Sequence, residues 1–151
     1  MTPRFRSLRP AAAVLVAASV VLAFSACASS EGGVGSAGAT TSPEEDYAGL
    51  PEGMLGLPQN PSGEPQLYWL QDASQIGITL WGSSSCPPIV ESLTQTSDNA
   101  FEATLEEIPA KPCTRDLVPH TTVFATPKGT TPSSDVTIVL DGTSLTLPAE
   151  R

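Results

Sequence analysis

The chain has 151 residues, which bounds it at one domain of modest size, and its formal charge is −9. Three of the seven basic residues lie in the first nine positions and all sixteen acidic residues follow Cys27, so residues 27–151 set four basic groups against sixteen acidic ones, a net −12. That balance excludes a nucleic-acid binder, since phosphates demand clustered Lys and Arg, and it gives no electrostatic grip on an anionic lipid surface.

In chain order, Arg4, Arg6 and Arg9 precede an uncharged, alanine-rich run over residues 11–26. A bilayer-spanning helix needs about 20 residues of stronger hydrophobicity. A basic start, a short apolar stretch and small residues at its end are instead the layout of a signal peptide. The stretch Leu22-Ala23-Phe24-Ser25-Ala26-Cys27 resembles the lipobox of bacterial prolipoproteins. That resemblance implies removal of residues 1–26 and a diacylglycerol thioether on Cys27, which becomes the new N-terminus. The expected location is the outer face of the cell membrane, with the lipid on Cys27 as the membrane contact; the alternative is ordinary cleavage and a secreted protein. An acylated Cys27 also resolves an odd cysteine count. Cys86 and Cys113 then remain as an even pair, expected to form a disulfide in a compartment where such bonds persist.

From residue 28 to about 49 the sequence is Gly, Ala, Ser, Thr and acid with almost nothing to bury, a composition expected to stay disordered. Residues 27–65 are therefore expected to be a lipidated N-terminus and flexible tether, with Leu50, Met54, Leu55 and Leu57 as an irregular lead-in across the domain surface.

The domain proper is expected over residues 66–148, as seven strands. Residues 66–70 and 75–81 flank a Gln71-Asp72-Ala73-Ser74 loop, and Ile76, Ile78 and Leu80 alternate with Gly77, Thr79 and Trp81. Residues 89–96 and 100–108 flank Ser97-Asp98-Asn99, and Pro109 and Pro112 end the second of these strands. Residues 121–126 form another strand. Residues 136–140 and 143–147 are joined by Asp141-Gly142, the chemistry of a type I′ turn. Such spacing predicts an all-β fold, a small antiparallel β-sandwich, immunoglobulin-like or simpler, stapled by one disulfide. A small barrel is the alternative.

Trp81-Gly82-Ser83-Ser84-Ser85-Cys86-Pro87-Pro88, together with residues 111–120, is similar to small exported lipoproteins of high-GC Gram-positive bacteria that have no assigned activity. The likeness implies no chemistry. From the residues, Cys86 and Cys113 are spaced for a structural staple and not for a close redox pair. His120 is the one histidine, with Asp116 four residues before it, so Ser83 to Ser85 with His120 and Asp116 make the conceivable hydrolytic set. No Gly-x-Ser-x-Gly elbow accompanies them. Cys86, Cys113, Asp116 and His120 lack the ligand spacing of a zinc site, and Asp135 or Asp141 is a turn former before it is a calcium ligand. Arg115 and Asp116 are expected to pair within their turn. Alternation that sends Trp69 inward sends Tyr68 outward, so Tyr68 and Trp81, with Arg115 and His120, are the candidate binding surface, with core packing as the expected use of both tryptophans and an exposed aromatic pair as the alternative.

The sequence thus leads to a membrane-anchored extracytoplasmic lipoprotein that binds an envelope protein or polymer, catalyses nothing and needs no metal or cofactor. The alternative is a small hydrolase or redox protein using His120, Asp116 and the Ser83 to Ser85 turn or the two cysteines.

Overall fold

The computed structural model describes residues 38–54 and 62–151; the expected signal peptide, the lipobox-like stretch and Cys27 lie outside them, as do Leu55 and Leu57. Nine strands and no helix make up the described residues. They are β1 (Thr40–Thr41), β2 (Glu45–Ala48), β3 (Gln66–Leu70), β4 (Gln75–Gly82), β5 (Val90–Ser97), β6 (Ala100–Leu105), β7 (Val118–Ala125), β8 (Val136–Leu140) and β9 (Thr143–Leu147). One sheet has the order β1-β5-β6-β8-β9, the other β2-β7-β4-β3.

The core forms because period-two segments of both sheets turn their apolar residues inward. From β4 come Ile76, Ile78 and Leu80, and from β7 comes Phe124; facing them are Val90, Leu93, Phe101, Val136 and Ile138, with Leu147 of β9. Thr122 spans the layers, its hydroxyl accepting from the backbone N–H of Val90 at 3.2 Å. At one side of the sandwich Trp69 packs on the core and its Nε1 donates to the Pro148 carbonyl at 2.7 Å, tying β3 to the chain beyond β9.

All pairings are antiparallel except β6 with β8, which run parallel. Topology explains the exception to the expected antiparallel sheets. The chain leaves β6, crosses to the other sheet to make β7, and returns beside β6 in its original direction, a connection no hairpin could make.

The expected start at residue 66 and the unstructured reading of residues 40–48 are corrected by β1 and β2; the tether over residues 27–37 and 55–61 lies outside the described residues. Thr40 and Thr41 pair with Thr94 and Leu93 of β5, while Glu45 through Ala48 pair with Val123 back to His120 of β7. Residues too polar to build a core still add a strand where an edge offers unpaired backbone groups. Two strand ends also move by three residues each. β6 stops at Leu105, three residues before the expected end, and leaves Ile108 66% exposed. β7 begins at Val118 and takes in Pro119, which lies beyond the end of β2 and opposite Trp81, so its missing N–H interrupts no bond to β2. The Asp141-Gly142 turn has the two positive φ angles its chemistry predicts, 47° and 74°.

Candidate functional site

Strand register decides which sequence-flagged residues can meet. In the four-stranded sheet, Ile76, Ile78 and Leu80 face the core, so Gln75, Gly77, Thr79 and Trp81 face outward, and their cross-strand partners share that side. Tyr68 pairs with Gly77 and is therefore on the same outer face as Trp81. Both rings are half-buried, which corrects the alternative of an exposed aromatic pair. The Tyr68 hydroxyl donates to Gln66 Oε1 at 2.8 Å, and burial pushes its pKa upward. Trp81 lies under Gly63, whose ideal Cβ would stand 3.6 Å from Trp81 Cβ, and its buried Nε1 has no hydrogen-bond partner among the described residues.

Much of this outer face is covered. Thr79, Thr121 and Val123 are almost wholly buried although they point away from the core. At Thr121 the segment that leaves β2 supplies part of the cover: the Thr121 hydroxyl donates to the Gly49 carbonyl at 2.7 Å, and Leu50 and Pro51 after it are buried. The predicted apolar lead-in across the surface is thus correct for Leu50.

His120 pairs with Leu80 and so faces inward, 8% exposed, not on a binding surface. Its Nε2 meets Asp46 Oδ1 at 2.9 Å. Asp116, expected behind this ring, is held elsewhere. Its Oδ1 accepts from the Ser84 backbone N–H at 3.0 Å and from Thr114 Oγ1 at 2.5 Å. Thr114 Oγ1 also lies 2.7 Å from Ser83 Oγ and 3.1 Å from Ser84 Oγ, and the Thr114 N–H donates to Ser85 Oγ at 2.9 Å. Hydrogen bonds from Ser84 and Thr114 hold the Asp116 carboxyl down at about 2, which makes it a poor proton acceptor at neutral pH. This knot joins the same two loops as the disulfide between Cys86 and Cys113, whose Cα atoms are 5.6 Å apart. No ion pair joins Arg115 to Asp116, whereas His120 does pair with Asp46. Arg115 and Leu117 are exposed on the loop over residues 106–117. No group of three His, Cys, Asp or Glu among the described residues is placed to hold a metal ion.

Sequence reasoning missed a cleft of about 490 Å³ on the outer face of the four-stranded sheet, bordered by Glu45 and Tyr47 of β2, Leu50 and Glu52 of the crossing segment, and Leu70 and Gln75 around the β3–β4 turn. Cross-strand pairing places Glu45 over Val123 and Tyr47 over Thr121, which puts both on this face. Gly77 makes room for one wall, because a Cβ there would stand 2.9 Å from Leu70 Cδ1. The Gln71-Asp72-Ala73 turn at the rim holds three successive non-glycine residues at positive φ, 50° to 60°. Burial, followed by the nearby Glu45 and Glu52 carboxylates, raises the Tyr47 pKa. The signal was hidden because Glu45, Tyr47 and Glu52 fall in the segment whose composition reads as tether.

Comparison with known protein families, characterised proteins and solved structures finds no match.

Proposed function

We propose that this protein is a lipid-anchored extracytoplasmic module that binds a partner at the outer face of the cell membrane and performs no catalysis. The observation that carries the reading is the Cys86–Cys113 disulfide. A structural disulfide belongs to an oxidising compartment, and with two of the three cysteines consumed, the third is Cys27 at the end of the lipobox-like stretch. The non-catalytic part is supported by the engagement of the groups a hydrolase would need. The one histidine is tied to Asp46 on the inner face, while Asp116 and the serines are bonded to one another in a separate knot. The cleft on the outer face of the four-stranded sheet is the surface offered to an envelope protein or polymer.

Intact-mass measurement on protein extracted from membranes, alkylated with and without prior reduction, tests this reading. The expected species begins at Cys27 with a lipid mass added and shows two alkylatable thiols after reduction alone. A lipid-free chain, or thiols accessible at Cys86 and Cys113 without reductant, would overturn it.

A further inference from the structure

The cleft on the four-stranded sheet is of a size that holds a small molecule or a single long side chain. Its walls are of two kinds. Leu50 and Leu70 give apolar surface and Tyr47 an aromatic ring, whereas Glu45 and Glu52 give negative charge. A third carboxylate, Glu44, stands at the rim and accepts from Gln75 Nε2 at 2.6 Å. No Lys or Arg borders the cleft, and neither Glu45 nor Glu52 has an ion-pair partner among the described residues. Of the four basic residues after Cys27, Lys111, Arg115, Lys128 and Arg151, none lines the cleft; Lys128 comes two residues after Thr126, which is bonded to Ala73 and Ser74 of the β3–β4 turn. A bare metal ion is poorly served, since no three such ligands converge. A diffuse organic cation is well served, because its charge meets carboxylates and a π face while its carbon atoms meet leucine.

We propose that this cleft binds an organic cation, an ammonium or guanidinium group on an aliphatic stem, with its charge facing Glu45, Glu52 and the Tyr47 ring and its stem along Leu50 and Leu70. The proposal rests on the binding-module reading and narrows it to one ligand chemistry. A free aliphatic amine and the side chain of a lysine or arginine on a partner protein share that chemistry.

Calorimetric titration of the full chain in neutral detergent tests it, with 1,5-diaminopentane as the cationic probe and 1,5-pentanediol as its uncharged counterpart. Saturable binding of the diamine and none of the diol is expected. The double variant Glu45→Gln/Glu52→Gln, isosteric at two exposed positions, should weaken the diamine by about tenfold or more, and Tyr47→Ala by several-fold, while Tyr47→Phe retains the ring and the affinity. A lysine-bearing tripeptide, blocked at both ends, separates the sources: tighter binding than the diamine assigns the site to a protein partner, weaker binding to a free amine. Equal binding of diol and diamine, or no binding of either, overturns the proposal, and since both use the unsubstituted chain neither depends on a variant folding. Unchanged affinity in the double variant also overturns it. The mass measurement on Cys27 stands apart from all of these outcomes, so failure here and failure of the anchored reading are told apart.

Discussion

A methyl group at position 82 would stand 2.6 Å from Cδ and 3.0 Å from Cγ of Pro88. A proline ring cannot swing aside as the end of a long side chain does, so Gly82→Ala must shift the turn that carries Cys86. Overpacking of this kind costs about 1–3 kcal/mol, and equilibrium denaturant unfolding should show a loss in that range. Gly77→Ala meets the end of Leu70 instead, at 2.9 Å, and should cost less while displacing a wall of the cleft. Asp116 supports a prediction on pH. Its folded-state pKa is about 2 against an ordinary 3.8 because Ser84 and Thr114 hydrogen-bond the ionised form. A depressed acid stabilises the fold above its unfolded pKa, and that contribution fades as pH falls from about 4 to about 2. Asp116→Asn removes the titrating charge, so its melting temperature should change less steeply than the unsubstituted chain's across that window. Parallel slopes in thermal melts from pH 2 to 6 would count against the assignment.

At the scale of elements, β2 is an edge strand held by β7 alone, as β1, β3 and β9 are each held by one neighbour. Its one inward polar side chain, Asp46, bridges to His120 at 2.9 Å. Asp46→Ala leaves an almost buried imidazole without that acceptor, at a cost of about 1–3 kcal/mol. Hydrogen exchange should accelerate in β2 well before the backbone of β4, which is flanked by strands on both sides. Uniform acceleration across the four-stranded sheet would argue that β2 is no separate unit. This strand also marks the limit of what was legible from sequence. β3, β8 and β9 were readable to the residue: β8 and β9 alternate about the Asp141-Gly142 turn, and β3 is a β-prone run between Pro65 and the Gln71-Asp72-Ala73-Ser74 loop. In Glu45-Asp46-Tyr47-Ala48 no apolar period exists to be read; an edge strand is recruited by its neighbour's free backbone groups and not by burial of its own side chains. The same blindness hid the cleft and the acceptor of His120, both of which depend on β2. Outer-face burial of Thr121 was equally illegible, because the carbonyl it bonds belongs to Gly49, 72 residues away in sequence.

For the whole molecule the governing question is whether the disulfide is needed for the fold or only for its margin. Cys86 and Cys113 lie 27 residues apart, and in the chain-entropy model closing a loop of that length contributes about 3–4 kcal/mol by restricting the unfolded chain. A domain of this size has about 5–15 kcal/mol in all, so the bond is a large share without being the whole. Location points the same way. No residue of the 106–117 loop belongs to the hydrophobic core, which is assembled from β4, β5, β6, β7, β8 and β9. The hydroxyl knot of Ser83, Ser84, Ser85 and Thr114 with Asp116 joins the same two loops independently of sulfur. Cys86→Ala/Cys113→Ala should therefore keep its far-ultraviolet circular dichroism at room temperature while its melting midpoint falls by about 10 °C or more. Adding Asp116→Asn to that variant should lower the midpoint beyond the sum of the two separate losses, because either tie restrains the loops that the other would have to gather. Loss of the β-sheet signal at room temperature in the double cysteine variant would mean that the loop crosslink, and not the two-sheet core, is what the native state depends on.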